Sequence, residues 1–241
     1  AKNIPILLHE IEMTFAVSHE VIVVDDGSTD GTREFLDGWA ATHPNLRRIY
    51  NPGRQTTLRA HYQALREASG RYAIVMDSDL QHPTATIGQI YSRLKLGFDV
   101  VVASRYCRGG STGNRRPFRG LVSRGAAELA RFTVRPSKDL TDPMSGYFGI
   151  LRSRIPKVRS VHRGYKILLL LLATNPELRM TEVPYVFRER EEGGSKVVQN
   201  FRFLGVYGQE LLADHRMRRA RRIYWEEPEA RSTERTVEDL S

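Results

Sequence analysis

Short apolar runs alternate with amphipathic stretches along the first hundred or so residues of this chain. Glu20–Val24 (EVIVV), Leu46–Tyr50, Tyr72–Met76 (YAIVM) and Asp99–Ala103 (DVVVA) each predict a strand. Thr29–Thr42, Thr56–Ser69 and Thr84–Leu96 predict helices between them, the last two closed by Gly70 and Gly97. Strands separated by helices predict a mostly parallel α/β sheet with helices on both faces. Regularity falls after Ala103. A basic loop and a helix over Phe118–Phe132 are followed by a strand near Gly146–Arg152. A helix over Tyr165–Ala173, a strand over Thr181–Phe187 and an amphipathic helix from Val197 complete the pattern. The period is lost from Glu226, which predicts a disordered tail, and no internal repeat is present. The pattern divides the chain into an α/β domain over 1–196, a basic amphipathic helix over 197–225 and an acidic tail over 226–241.

The first element is itself a helix. Asn3 reads as its N-cap, Pro5 as a first-turn residue, and Leu7, Leu8, Ile11 and Phe15 as its apolar face. In a βαβ fold such a helix is fed by a strand, so the expectation is that the sheet's first strand would lie before Ala1. Three or four buried aliphatic side chains at about 2 kcal/mol each make some 6–8 kcal/mol. That is comparable to a whole domain's stability of about 5–15 kcal/mol, so this chain is expected to fold poorly or to bind its ligand weakly.

Composition narrows the class. The chain has 241 residues, 40% of them hydrophobic and 27% charged, which is globular. Cys107 is the single cysteine, which excludes a disulfide framework and a cysteine-based zinc site. The longest apolar run, Ile167–Ala173, is far short of the roughly 18–20 residues that span a bilayer. These features predict a soluble or peripheral protein of a reducing compartment. The net charge of +9 is carried mostly by arginine and is uneven. Between Val101 and Arg135 eight arginines face one acid, Glu128, and five more arginines lie between His215 and Arg222. Arginine grips phosphates bidentately, which points to phosphorylated partners; a generic basic surface is the other reading.

Four blocks carry candidate chemistry. The first is Asp77-Ser78-Asp79-Leu80-Gln81-His82-Pro83, directly after a predicted buried strand. Asp77 and Asp79 can converge with Gln81 on a hard cation, Mg²⁺ or Mn²⁺, that bridges a diphosphate. A bare Asp-x-Asp is more often a capped turn; the long polar cluster favours the cation. His82 could add a ligand, but a lone histidine reads as a surface residue. The second block, Asp25-Asp26-Gly27-Ser28, ends a parallel strand, where such sheets bind ligands; its carboxylates can accept hydrogen bonds from a base or ribose. It lacks the Gly-x-Gly-x-x-Gly fingerprint, which disfavours a dinucleotide dehydrogenase, and Thr29 or Asp30 can cap the helix that follows. In the third, Arg105 follows a strand on the same rim, and Arg119 and Ser123 are one helical turn apart; together they could clamp a second phosphate. The fourth comprises Asp142-Pro143-Met144-Ser145-Gly146-Tyr147-Phe148 and a glycine-loosened basic loop with Arg190, Ser195 and Lys196, suited to closing over phosphates.

In this order the blocks VIVVDDGSTDGT, NPGRQTTLRAHYQALREASGRYAIVMDSDLQHP, VVASRYCRGGS, DPMSGYFGILRS, GYKILL and EVPYVFRER–GGSK resemble family 2 inverting glycosyltransferases of the dolichyl-phosphate mannose synthase and polyprenyl-phosphate type. The resemblance implies a GT-A-type fold whose first strand and Pro-x-Tyr-Asn-Glu-like turn are missing here. It also implies transfer of mannose from GDP-mannose to a polyprenyl or dolichyl phosphate with inversion, a UDP-sugar such as UDP-glucose being the near alternative. A truncated, non-catalytic fragment that still binds nucleotide or lipid phosphate is the reading from another class. By the same resemblance Asp25, Asp26 and Gly27 would contact the nucleoside, and Asp77, Asp79 and Gln81 would hold Mg²⁺ or Mn²⁺. Arg105, Arg119 and Ser123 would bind the acceptor phosphate, with Asp79, Arg105 and Arg119 closest to the chemistry. Asp142 and Ser145 would line the sugar and acceptor region, and Arg190, Ser195 and Lys196 would close over the donor diphosphate. Leu170 stands where the family usually carries glutamate, which implies reduced turnover.

Phe201, Phe203, Leu204, Val206, Tyr207, Leu211 and Leu212 beside Arg202 and the later arginines suit a helix lying on anionic lipid, or a core helix with a basic end. The expected place is the cytoplasm, peripheral to the cytoplasmic face of a membrane. Nucleic acid is not an expected partner, because four acids on the rim would repel a phosphate backbone.

Overall fold

The computed structural model describes residues 2–113, 139–156, 166–175 and 177–188. Arg119, Ser123, Arg190, Ser195, Lys196, the helix predicted over Phe118–Phe132 and the segments 197–225 and 226–241 lie outside the described residues.

The first helix, α1 (Asn3–Thr14), begins at Asn3 itself, with Lys2 in the cap position and no side-chain cap, so Asn3 is the first helical residue and not the expected N-cap. Its apolar face is buried as the spacing predicts: Leu7 and Ile11 pack into one cluster and Leu8 into another. The strand β1 (Val21–Asp25) pairs in parallel with β2 (Leu46–Tyr50), Val21 opposite Leu46 and Asp25 opposite Tyr50. The crossover between them is α2 (Thr32–Thr42), anchored by fully buried Leu36. Next comes α3 (Thr57–Glu67), capped by Thr56, whose hydroxyl accepts from the Arg59 amide.

A second sheet holds β3 (Tyr72–Val75), β4 (Val100–Ser104), β5 (Phe148–Leu151) and β6 (Met180–Pro184), in the order β3-β5-β4-β6. β4 and β6 pair in parallel, and β5 runs antiparallel to both its neighbours. β3, β4 and β6 therefore run the same way, and the mostly parallel sheet expected from the alternation carries one reversed strand. Among the described residues β1 pairs only with β2, and β3 only with β5. β1 is correspondingly half-buried along Val21–Val24, whereas every residue of β4 is buried.

Helices cover both faces. On one face α4 (Ala85–Lys95) lies directly on β5, where a Cβ on Gly149 would run into Ile90 and Leu94. On the other, α5 (Ile167–Thr174) buries Ile167, Leu168, Leu169, Leu171 and Leu172 with Phe148, Ile150 and Leu58 of α3. Leu170 is partly buried against the same cluster, so an apolar side chain suits this position. α1 spans the two sheets: Leu7 and Ile11 join the residues under α4, and Leu8 meets Leu36 and Leu46. The arrangement brings the carboxyl ends of β1, β3 and β4 to one rim.

Candidate active site

At the end of β1, Asp25 is buried and its Oδ1 accepts the Ser28 amide at 3.1 Å, closing a turn in which Gly27 takes φ +82°. Asp26 projects from that turn half-buried. Its Oδ1 accepts from Asn51 Nδ2 at 2.8 Å, and the same nitrogen reaches Gln63 Oε1 at 3.0 Å. Asn51 is itself placed by its amide, which donates to the Asp25 carbonyl at 2.9 Å. Asp30 closes the turn just ahead of α2, its Oδ1 accepting the Thr32 hydroxyl at 2.6 Å and the Thr32 amide at 3.3 Å. Neither Thr29 nor Asp30 is therefore the N-cap expected from the sequence: that position is Gly31, in the left-handed region at φ +81°. Sequence reasoning missed Asn51 and Gln63. Asn51 was findable, because it directly follows a parallel strand beside the strand that ends in Asp25.

At the end of β3 the loop from Asp77 to His82 folds back on itself. Leu80 sits at φ +64°, a conformation uncommon for a leucine, and its side chain is buried in the cluster beneath. Burying that side chain holds the backbone in the left-handed region, and the Gln81 amide then donates to Asp79 Oδ1 at 3.1 Å. His82 is 3% exposed, against the expectation of a surface residue. The correction has a plain cause: its ring stacks on Tyr147, and its Nδ1 accepts the Asp77 amide at 3.0 Å, so it is buried with that nitrogen satisfied. Burial pulls the His82 pKa down, opposed by the charges of Asp77 and Asp79, which keeps the ring neutral near pH 7. His61 on α3 is shifted the same way, by burial first and against the pull of Asp77.

The third strand end is tied down from within. Arg105 Nε and Nη2 donate to the two carboxylate oxygens of Asp142, each at 2.7 Å, with the pair 9% and 0% exposed. Burial opposes the guanidinium charge, but Asp142 outweighs it and holds Arg105 firmly protonated. Glu182 Oε1 accepts the amides of Thr141 and Asp142, and Thr141 Oγ1 lies 2.6 Å from Ser104 Oγ. Ser145 Oγ donates to the Ala103 carbonyl at 2.7 Å. Arg105 was expected to present its fork to a phosphate, and Asp142 and Ser145 to line the sugar and acceptor region. In the structure the fork is occupied by Asp142, and the Asp142 and Ser145 side chains face inward. A strand-end arginine reads as solvent-facing in a linear sequence; its partner lies 37 residues further on. Glu182 was missed for the same reason.

The rim is continuous. An open cavity of about 640 Å³ is lined by Asp25, Asp26 and Ser28 from the first sheet, Ser78 and Asp79 from the second, and Lys2. Gly146 lies against Asp77, where a Cβ would sit 3.5 Å from Asp77 Oδ2, so the Asp142–Tyr147 segment borders the carboxylate loop. Arg188 donates its amide to the Gln81 carbonyl at 3.1 Å, and Gln81 Nε2 donates to the Arg188 carbonyl at 3.2 Å. Arg188 is thereby held at the carboxylate loop. Among the described residues no cluster of three His, Cys, Asp or Glu side chains is placed to hold a metal. Two carboxylates and one amide are nevertheless a fitting partial set for Mg²⁺ or Mn²⁺, which commonly take one or two carboxylates and complete their shell with substrate phosphates.

The architecture, with an acid pair at one strand end and Asp-x-Asp at another, is that of a nucleotide-sugar transferase of the GT-A type. Its match to a solved fold is close: glucosyl-3-phosphoglycerate synthase from Mycobacterium tuberculosis, in complex with Mn²⁺, uridine-diphosphate and glucosyl-3-phosphoglycerate, superposes with a TM-score of 0.62. The two are 19% identical over 88% of this chain and 73% of that one. The model of glycosyl transferase family 2 matches residues 2–159, and the chain belongs to that family. Among curated relatives, the dolichol-phosphate mannosyltransferase of Pyrococcus furiosus is 33% identical over 183 residues, 75% of this chain and 51% of that protein. The polyprenol monophosphomannose synthase of Mycolicibacterium smegmatis is 30% identical over 206 residues, 81% of this chain and 76% of that protein. The chain thus spans about half the length of the first relative and about three quarters of the second.

Proposed function

We propose that the chain transfers mannose from GDP-mannose to a polyprenyl or dolichyl phosphate, inverting the anomeric carbon, with Mg²⁺ or Mn²⁺ at Asp77, Asp79 and Gln81. The observation that carries this reading is the shared cavity, in which Asp25 and Asp26 face the same space as Asp79. The names of the mannosyltransferase relatives support the sugar and the lipid. In this reading Asp26, held by Asn51, accepts from the base or ribose, and the Gly27 turn lets the nucleoside approach the backbone. The bound cation would supply charge neutralisation on the donor diphosphate. Asp77, Asp79 and Gln81 would hold it, and Arg190, Ser195 and Lys196 would close over the same diphosphate. Arg119 and Ser123 bind the acceptor phosphate, while Arg105, locked to Asp142, holds the rim from which that phosphate attacks. The nucleophile is already an anion, so the reaction needs no protein base.

Among the described residues no helix is long and apolar enough to cross a membrane. Lipid acceptor chemistry would then bring the protein to a membrane surface from the cytoplasmic side, with the basic segment 197–225 as its contact.

The test is a donor titration with and without Mn²⁺, GDP-mannose against UDP-glucose. GDP-mannose should bind only with metal, and Asp79→Ala should weaken it at least about tenfold, about 1.4 kcal/mol. Preference for UDP-glucose would reassign the donor. Metal-independent binding, or none of either donor, would overturn the reading.

A further inference from the structure

We propose that His82 is a positioning residue that closes the metal-binding loop and presets Asp77, an inference that rests on the assignment of Asp77, Asp79 and Gln81 to a divalent cation. All three oxygen donors lie inside the segment from Asp77 to His82, and the hydrogen bond from the Asp77 amide to His82 Nδ1, 3.0 Å, ties its two ends together. An Nδ1 that accepts has no proton, so the neutral ring carries its proton on Nε2. That nitrogen lies 3.9 Å from Asp77 Oδ2, beyond hydrogen-bond range but within reach of an electrostatic contact. One ring therefore acts on Asp77 twice, at the backbone amide and at the side chain.

The ring itself has little freedom. It stacks on Tyr147 with centroids 4.8 Å apart and planes 18° from parallel, and it meets Tyr185 and Phe187 edge-on. Tyr147 donates its hydroxyl to the Pro83 carbonyl at 2.9 Å, which secures the residue after the histidine as well. Gly146 borders both groups: a Cβ there would lie 3.5 Å from Asp77 Oδ2 and 3.7 Å from His82 Cε1. The aromatic cluster is thus a fixed wall, and His82 is the part of it that reaches the loop. A phenylalanine would keep the stack and lose both nitrogens. An asparagine would lose the stack and place its amide oxygen near the position of Nδ1.

This separates positioning from packing. Outer partners that orient ligands typically change metal affinity by about 10–100-fold when removed. In the full chain without donor, Mn²⁺ affinity read from the free-ion paramagnetic resonance signal should fall about tenfold or more in His82→Phe, with melting temperature nearly unchanged. His82→Asn should recover part of that affinity despite being the less stable variant. In the wild type, long-range ¹H–¹⁵N spectra should show a neutral His82 with its proton on Nε2, with no metal added. Wild-type Mn²⁺ affinity in His82→Phe, or a proton on Nδ1, would sink the inference while leaving the metal assignment standing. If the wild type binds no Mn²⁺, or Asp79→Ala binds it equally well, the metal assignment fails and takes this inference with it. Should His82→Phe lose cooperative melting, the tautomer and the His82→Asn affinity decide the matter.

Discussion

Arg105 and Asp142 show how far a residue's role depends on a partner that sequence does not place beside it. The pair is bidentate and buried. Removing one member leaves an unpaired charge in a buried region. Asp142→Ala should therefore lower stability by about 3–5 kcal/mol, read from the denaturant midpoint at unchanged slope. Arg105→Met with Asp142→Leu should be less damaging than Asp142→Ala alone, since no charge is stranded. A double variant as unstable as the single would show that the pair holds the rim by more than charge compensation. Asp77, Asp79 and Gln81 were legible as a group because they fall within five residues of one another. His82 was not, because its burial is created by Tyr147, Tyr185 and Phe187, all far along the chain.

At the scale of elements the helices and strands among the described residues follow the periodicity, with ends shifted by at most three residues. The reversed direction of β5 was not legible, because strand order is set by which apolar faces meet after the chain has crossed the sheet. Glu20 illustrates a tie between elements. Placed just before β1, it accepts from the Ser69 amide and hydroxyl at 2.6 Å and the Gly70 amide at 3.0 Å, just ahead of β3, and pairs with Arg47 of β2. Burial alone would raise its pKa, but these donors outweigh it and hold the carboxyl down at about 2, against an ordinary value of 4.5. A folded pKa below the unfolded one contributes stability that is complete above about 4.5 and is lost as pH falls toward about 2. Across that window the wild-type melting temperature should fall more steeply than that of Glu20→Gln. Parallel acid slopes in the two proteins would mean that the tie contributes nothing.

Across the whole molecule the two sheets share α1 and the cavity more than they share strand pairing. The Glu20 side chain ties the start of β1 to the turn ahead of β3, and the cavity takes acids from each sheet. A ligand filling it should then stabilise both together. With Mn²⁺ and donor at about a hundred times its dissociation constant, the gain should be about 2.7 kcal/mol, seen as a rise of a single melting transition. Two transitions, of which the donor moves one, would show that the cavity is built by one sheet alone. The overall positive charge of the chain does not contradict an acidic cavity. Acidic and basic residues fall in separate segments of the sequence, so the two charges can serve different groups of one ligand.

What the sequence by itself determined was local. Alternating strands and helices, turn chemistry at Gly27 and Asp30, and the oxygen-rich loop after β3 follow from neighbours a few residues apart, where periodicity and hydrogen-bonding capacity act. Tertiary structure alone decided that Arg105 meets Asp142, that Glu182 holds the segment at Thr141, that Asn51 steadies Asp26 and that His82 lies beneath the carboxylate loop. Each of these depends on a buried polar group finding its partner across the fold. Burial makes such a pairing necessary, and only the packed arrangement of strands and helices determines which group supplies it.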